Sequence, residues 1–72
     1  MYKTKIELVT MTDIVEFVAA VANAEGAVKL IDDAGFCVNG KSLLGATASM
    51  EWDNLYVLSD EDIYNKIEKF AI

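Results

Sequence analysis

Seventy-two residues carrying twelve Asp and Glu against six Lys, with no Arg and no His, have a formal charge of −6, which repels nucleic acid and anionic membrane surfaces at long range; acidic partners are not expected. With 54% hydrophobic residues, Trp52, three Tyr and three Phe among them, the chain has material for one folded domain with a small core, which excludes disorder. Cys37 is the only cysteine, so no internal disulfide forms, and no apolar run has the continuity of a signal peptide or the length of a membrane span; the cytoplasm is the expected location.

In chain order, Lys5-Ile6-Glu7-Leu8 alternates with period two and predicts a first strand with one buried face. Thr10 or Thr12 is placed to cap a helix whose positive end Asp13 and Glu16 complement. Ile14, Phe17, Val18 and Val21 then recur at helical spacing until Gly26, predicting a helix from about Thr12 to Ala24. Val28–Ile31 and Phe36–Val38 are short β-rich runs joined by Asp32-Asp33-Ala34-Gly35, a turn-forming cluster, and predict a hairpin. Ser42 is a good N-cap for a brief helix carrying Leu43, Leu44, Ala46, Thr47 and Met50. Leu55–Leu58 predicts a fourth strand that is apolar on both faces, so its pattern does not indicate which looks inward. Ser59-Asp60-Glu61-Asp62 opens a last helix with Ile63, Ile67 and Phe70, and reads as a capping box. The predicted order is βαββαβα in a single domain over residues 1–72, without repeats or linkers.

One stretch raises a question of its own. Gly35, four residues, then Gly40-Lys41-Ser42 matches the Walker A pattern, in which a glycine-rich backbone cradles nucleotide phosphates. A working loop of that kind follows a buried strand and precedes a helix in a parallel sheet that also supplies an acidic residue for Mg²⁺. Here the four variable positions, Phe36-Cys37-Val38-Asn39, read as the strand itself and Gly35 as a turn residue, so the match is a coincidence and no nucleotide is expected.

Extended to VNGKSLLGATASM, the same stretch is similar to the histidine-containing phosphocarrier proteins (HPr) of the bacterial sugar phosphotransferase system. The segment that carries the likeness is Asn39-Gly40-Lys41-Ser42-Leu43-Leu44-Gly45, leaving a strand and opening a short helix. Phe17-Val18 and Leu58-Ser59 add to it. The resemblance implies an α+β open-faced sandwich, a four-stranded antiparallel sheet with three helices on one face, covering Lys3 to Phe70. It also implies a docking surface, of which Lys41, Leu43, Leu44 and Gly45 carry over, and a serine, here Ser42, that a dedicated kinase can phosphorylate.

The departures from that family bear on chemistry. Its members accept phosphate on a histidine between the first strand and first helix, beside an arginine and a proline; this chain has no histidine, and Leu8-Val9-Thr10-Met11-Thr12-Asp13 stands there in a shorter connection. Threonine forms a far more stable phosphate ester than a phosphoramidate, so Thr10 and Thr12 do not replace a relay histidine. Asp32-Asp33 and Asp60-Glu61-Asp62 lack the spaced ligands of a calcium loop, and no metal is expected. Cys37 lacks a base and reads as a small buried hydrophobe in a strand, and Trp52 and Met50 read as core. Glu51, Asp53 and Glu68 read as solvated unless the fold pairs two of them in a cleft. The expectation is a protein without enzymatic activity or cofactor that binds another protein, with Ser42 as a regulatory phosphorylation site. The alternative is a self-associating structural domain without a role in the phosphotransferase system.

Overall fold

A computed structural model describes every residue, Met1–Ile72. The elements in chain order are β1 (Tyr2–Ile6), α1 (Met11–Val21), β2 (Val28–Ile31), β3 (Cys37–Asn39), α2 (Leu43–Ala48) with a 3₁₀ turn at Ser49–Glu51, β4 (Leu55–Ser59) and α3 (Tyr64–Ile67) with a 3₁₀ turn at Glu68–Phe70. The four strands form one open sheet in the order β1-β4-β2-β3, every neighbouring pair antiparallel. The chain is therefore a small α+β domain with a four-stranded antiparallel sheet and three α-helices.

Register decides which side chains share a face. Thr4 lies opposite Val57, Val57 opposite Leu30 and Leu30 opposite Val38; Ile6 opposes Leu55, and Ser59 opposes Val28. This face meets the helices. Ile6, Val28, Leu30, Leu55 and Val57 form one buried cluster with Ile14, Phe17 and Val21 of α1, Ala46 of α2, and Ile63, Ile67 and Phe70 around α3. Phe17 and Phe70 meet edge to face at 5.9 Å between ring centres, an arrangement favoured by the aromatic quadrupole. The two-sided apolar pattern of β4 is thereby resolved: Leu55 and Val57 look inward, Tyr56 and Leu58 outward.

Several elements differ from their sequence-based expectation. The first strand is Tyr2–Ile6 rather than Lys5–Leu8, because pairing with β4 uses the earlier residues. Glu7 has left the sheet to donate its N–H to the Phe70 carbonyl, and Leu8 turns into the core. Helix α1 starts after Thr10 and ends at Val21, three residues before Ala24. Phe36 belongs to the hairpin turn, where its N–H donates to Asp32 Oδ1 and its carbonyl accepts from the Asp32 N–H. The capping box expected at Ser59 does not form, because Ser59 is the last residue of β4 and its hydroxyl donates to the Glu61 carbonyl. Asp62 Oδ1 instead accepts the Tyr64 N–H. Met50 and Trp52 pack partly buried against the core, while Phe36 stacks on Trp52 from outside at 6.0 Å. The chain end returns along β1, with Ile6 bridging Ala71 and the Ile72 N–H on the Lys5 carbonyl, so part of the outer edge of β1 is paired.

Candidate functional site

The junction from β3 into α2 holds the residues that the sequence singled out. Gly35 and Gly40 stand at opposite ends of β3, Gly35 in the turn at φ 98° and Gly40 where the strand leaves the sheet. The groups that would grip a phosphate are already engaged. The Gly40 N–H donates to the Val28 carbonyl at 2.7 Å, the Lys41 N–H to Asn39 Oδ1 at 2.9 Å, and the Ser42 N–H to the Asn39 carbonyl at 3.2 Å. Lys41 Nζ donates to the Ala24 carbonyl, just past the end of α1, where a cation complements the helix dipole. The stretch is a strand exit and a helix cap, built from its own hydrogen bonds.

Ser42 is the N-cap of α2, in extended backbone, with Oγ accepting the Gly45 N–H at 3.3 Å. A Cβ on Gly45 would stand 3.0 Å from the Asn39 carbonyl oxygen and 3.3 Å from Val38 Cβ, so the first turn of α2 lies hard against β3. With that side and Ala46 turned inward, Leu43 and Leu44 point outward, 49% and 83% exposed. Ser42, Leu43, Leu44 and Gly45 are thus brought together on one turn, whereas the Lys41 ammonium is led away to α1. Helix α1 packs beside α2 and exposes Met11 and Val15.

The connection from β1 to α1 is where the HPr resemblance puts the phosphate-accepting histidine. Thr10 and Asp13 form a reciprocal capping box: Thr10 Oγ1 accepts the Asp13 N–H at 3.1 Å, and Asp13 Oδ2 accepts the Thr10 and Val9 N–H groups at 3.2 and 2.9 Å. The Val9 N–H first, then the Thr10 N–H, holds the Asp13 carboxyl below its ordinary range, with Lys69 adding to the effect. The donors that an anion would use here are satisfied by the chain's own carboxylate, as the sequence suggested of Asp13. Glu16 is tied to Lys69.

Elsewhere the fold corrects one expectation about a single residue. Cys37 is exposed, because the Leu30–Val38 pairing puts its neighbour on the core face and the cysteine on the other. Glu51, Asp53 and Glu68 are exposed, and no two of them share a cleft: Asp53 stands at the margin of one of about 410 Å³ between the start of the β1–α1 connection and the residues before β4, with Glu7 as its carboxylate neighbour, while Glu51 and Glu68 lie outside. Asp32 Oδ1 accepts the Ala34 and Phe36 N–H groups and Asp60 Oδ2 accepts the Ala27 N–H, so both acidic runs serve turns. No three His, Cys, Asp or Glu side chains converge as metal ligands.

Sequence reasoning missed the outward face of the sheet. Lys3, Lys5 and Lys29 all lie there, and Lys3 Nζ sits 4.5 Å above the Tyr56 ring. The period-two spacing of Lys3 and Lys5 was a signal for this; the arrival of Lys29 was not readable. Comparison with family models, curated proteins and solved structures found no match for this chain. No helix is long and apolar enough to cross a membrane.

Proposed function

We propose that this chain is an HPr-like module that binds a protein and carries no phosphoryl group, docking its partner through Leu43 and Leu44, with Ser42 beside them as a regulatory phosphorylation site. The observation that carries this is the pair of outward leucines on a turn locked by the Ser42 cap and by the close approach of Gly45 to β3. Adjacent exposed leucines on an anchored turn present apolar surface without further ordering, and Met11 and Val15 on the packed neighbour α1 extend the supply. The succession of elements from β1 to α3 and the VNGKSLLG run at the β3–α2 junction support the finer βαββαβα assignment to the HPr type. The missing histidine and the internally satisfied Thr10–Asp13 box support loss of phosphate transfer. A bacterial cytoplasm and a partner within the phosphotransferase system or its regulation follow from the same resemblance.

Phosphorylation of Ser42 would be favoured by the positive end of α2 and would set about −2 charge beside Leu43 and Leu44, altering which apolar partner they accept. The test has two arms. Incubation with phosphoenolpyruvate and the first enzyme of the system should add no phosphate by intact mass, and a labile stoichiometric phosphoryl group would overturn the loss of relay. Pull-downs from native cells should capture a partner that Leu44→Glu loses and Ser42→Asp alters. If capture is indifferent to both, Leu43 and Leu44 are not the docking surface. A dimer by light scattering that Leu44→Glu dissolves would favour self-association.

A further inference from the structure

The face of the sheet turned away from the helices differs in character from the rest of the molecule. Across its middle, Lys3 opposes Leu58, which opposes Lys29; one step along, Lys5 opposes Tyr56, and Tyr56 opposes Ile31. Every lysine of the strands is on this face and no carboxylate of the strands is, since β1 to β4 contain no Asp or Glu. Half of the six lysines of a −6 chain are gathered there, leaving the remaining surface with three Lys against twelve Asp and Glu, a net −9. Ile31, Tyr56 and Leu58 are half-buried between them, uncovered by any helix. A groove of about 370 Å³ continues the face at the β2–β3 margin, where Lys29 and Lys41 flank Asn39 and Cys37. Carboxylates stand only at its margins: Asp33, beside the Tyr56 hydroxyl at the hairpin end and held by the Asn54 amide; Glu7 and Asp53, in the cleft that Lys5 also lines; and Asp60, just past β4, which accepts the Ala27 N–H.

We propose that this sheet face docks a short acidic segment of a partner protein in which carboxylates alternate with apolar side chains. The carboxylates meet Lys3, Lys5 and Lys29, and the apolar side chains meet Ile31, Tyr56 and Leu58. At physiological salt, charges act over about 8 Å, so a ligand in contact with this face experiences its lysines rather than the −6 of the whole chain. The net charge that argues against acidic partners at long range does not act at this distance. Size selects the ligand. Four strands at about 4.8 Å spacing and five residues at about 3.3 Å rise make a basic patch roughly 15 Å across, matching a short extended peptide. A nucleic acid long enough to bind cooperatively would run off it onto the acidic remainder. A second copy face to face would set lysines against lysines. The site is separate from Leu43 and Leu44, which project from the helical layer on the other side, and does not depend on their role.

The test is fluorescence anisotropy on the intact chain with a labelled short peptide of alternating glutamate and leucine. Oligothymidylate of equal length and phosphatidylserine vesicles serve as rival probes. Saturable binding of the peptide is expected, weakened by added salt and roughly tenfold weaker in Lys3→Glu/Lys29→Glu, the effect of losing two exposed ion pairs. The neutral pair Lys3→Gln/Lys29→Gln should fall between, and Leu44→Glu should bind like the wild type; circular dichroism confirms that each variant is folded. Absence of peptide binding, binding indifferent to both lysine pairs, loss of binding in Leu44→Glu, or preference for the oligonucleotide or the vesicles would each overturn the proposal.

Discussion

Gly40→Ala tests whether the Gly40-Lys41-Ser42 stretch is a structural junction. A Cβ built on Gly40 lies 2.8 Å from Val28 Cγ1 and 3.1 Å from the Val28 carbonyl oxygen. Carbon atoms prefer about 3.5 Å or more, so the methyl intrudes by about 0.7 Å on a valine that is itself in the core. Relief by moving Gly40 outward stretches its 2.7 Å hydrogen bond to Val28 towards roughly 3.4 Å, past the useful range. Overpacking costs about 1–3 kcal/mol and the weakened bond about 1 kcal/mol, for a loss of about 2–4 kcal/mol. A chain of this length has about 4–11 kcal/mol to lose, and the melting temperature should fall by roughly 10–30 °C. Urea and thermal unfolding followed by circular dichroism measure both. Gly35→Asn is the control: nothing lies within 4 Å of its added Cβ, and asparagine tolerates positive φ, so its loss should be the smaller. A Gly40→Ala protein within about 0.5 kcal/mol of wild type would refute the close approach of β3 to β2 at this point.

Three further outcomes follow from the same geometry. Ser42→Ala should lower stability by about 1 kcal/mol through loss of the α2 cap, read from the urea midpoint at unchanged slope; Ser42→Asp should retain most of it. Asp13 has a folded pKa below its ordinary 3.8, so its contribution is fully present above that value and is lost as pH falls through the lower folded pKa. Asp13→Asn should therefore be less stable than wild type at neutral pH, and a gap that does not narrow as the pH is taken progressively below 3.8 would contradict the capping-box origin. Phe36→Ala removes the ring stacked on Trp52, which should shift the Trp52 emission to longer wavelength at a loss of about 1 kcal/mol; an unmoved spectrum would mean that the stack does not shield the indole.

What the sequence determined by itself is what local chemistry determines. The Asp32–Gly35 turn, the cap at Ser42, the inward faces of α1 at Ile14, Phe17 and Val21, and the pairing of a 3.6-residue period with helix and a two-residue period with strand depend on residues a few positions apart. The outward position of Leu43 and Leu44 was half legible, since the cap placed the helix, but Gly45 meeting Asn39 and Val38 turned it. The rest needed contacts far apart in the chain. Pairing with β4 moved the first strand back to Tyr2–Ile6, and the core-facing Val38 put Cys37 outside. Leu55 and Val57 were chosen as the inner face of β4 only because the helices lie on that side. Net charge likewise carried no information on distribution. Lys3 and Lys29 share a face because β4 lies between β1 and β2 in register, and strand order and register arise from burial of one apolar layer across the whole chain, which no local pattern encodes.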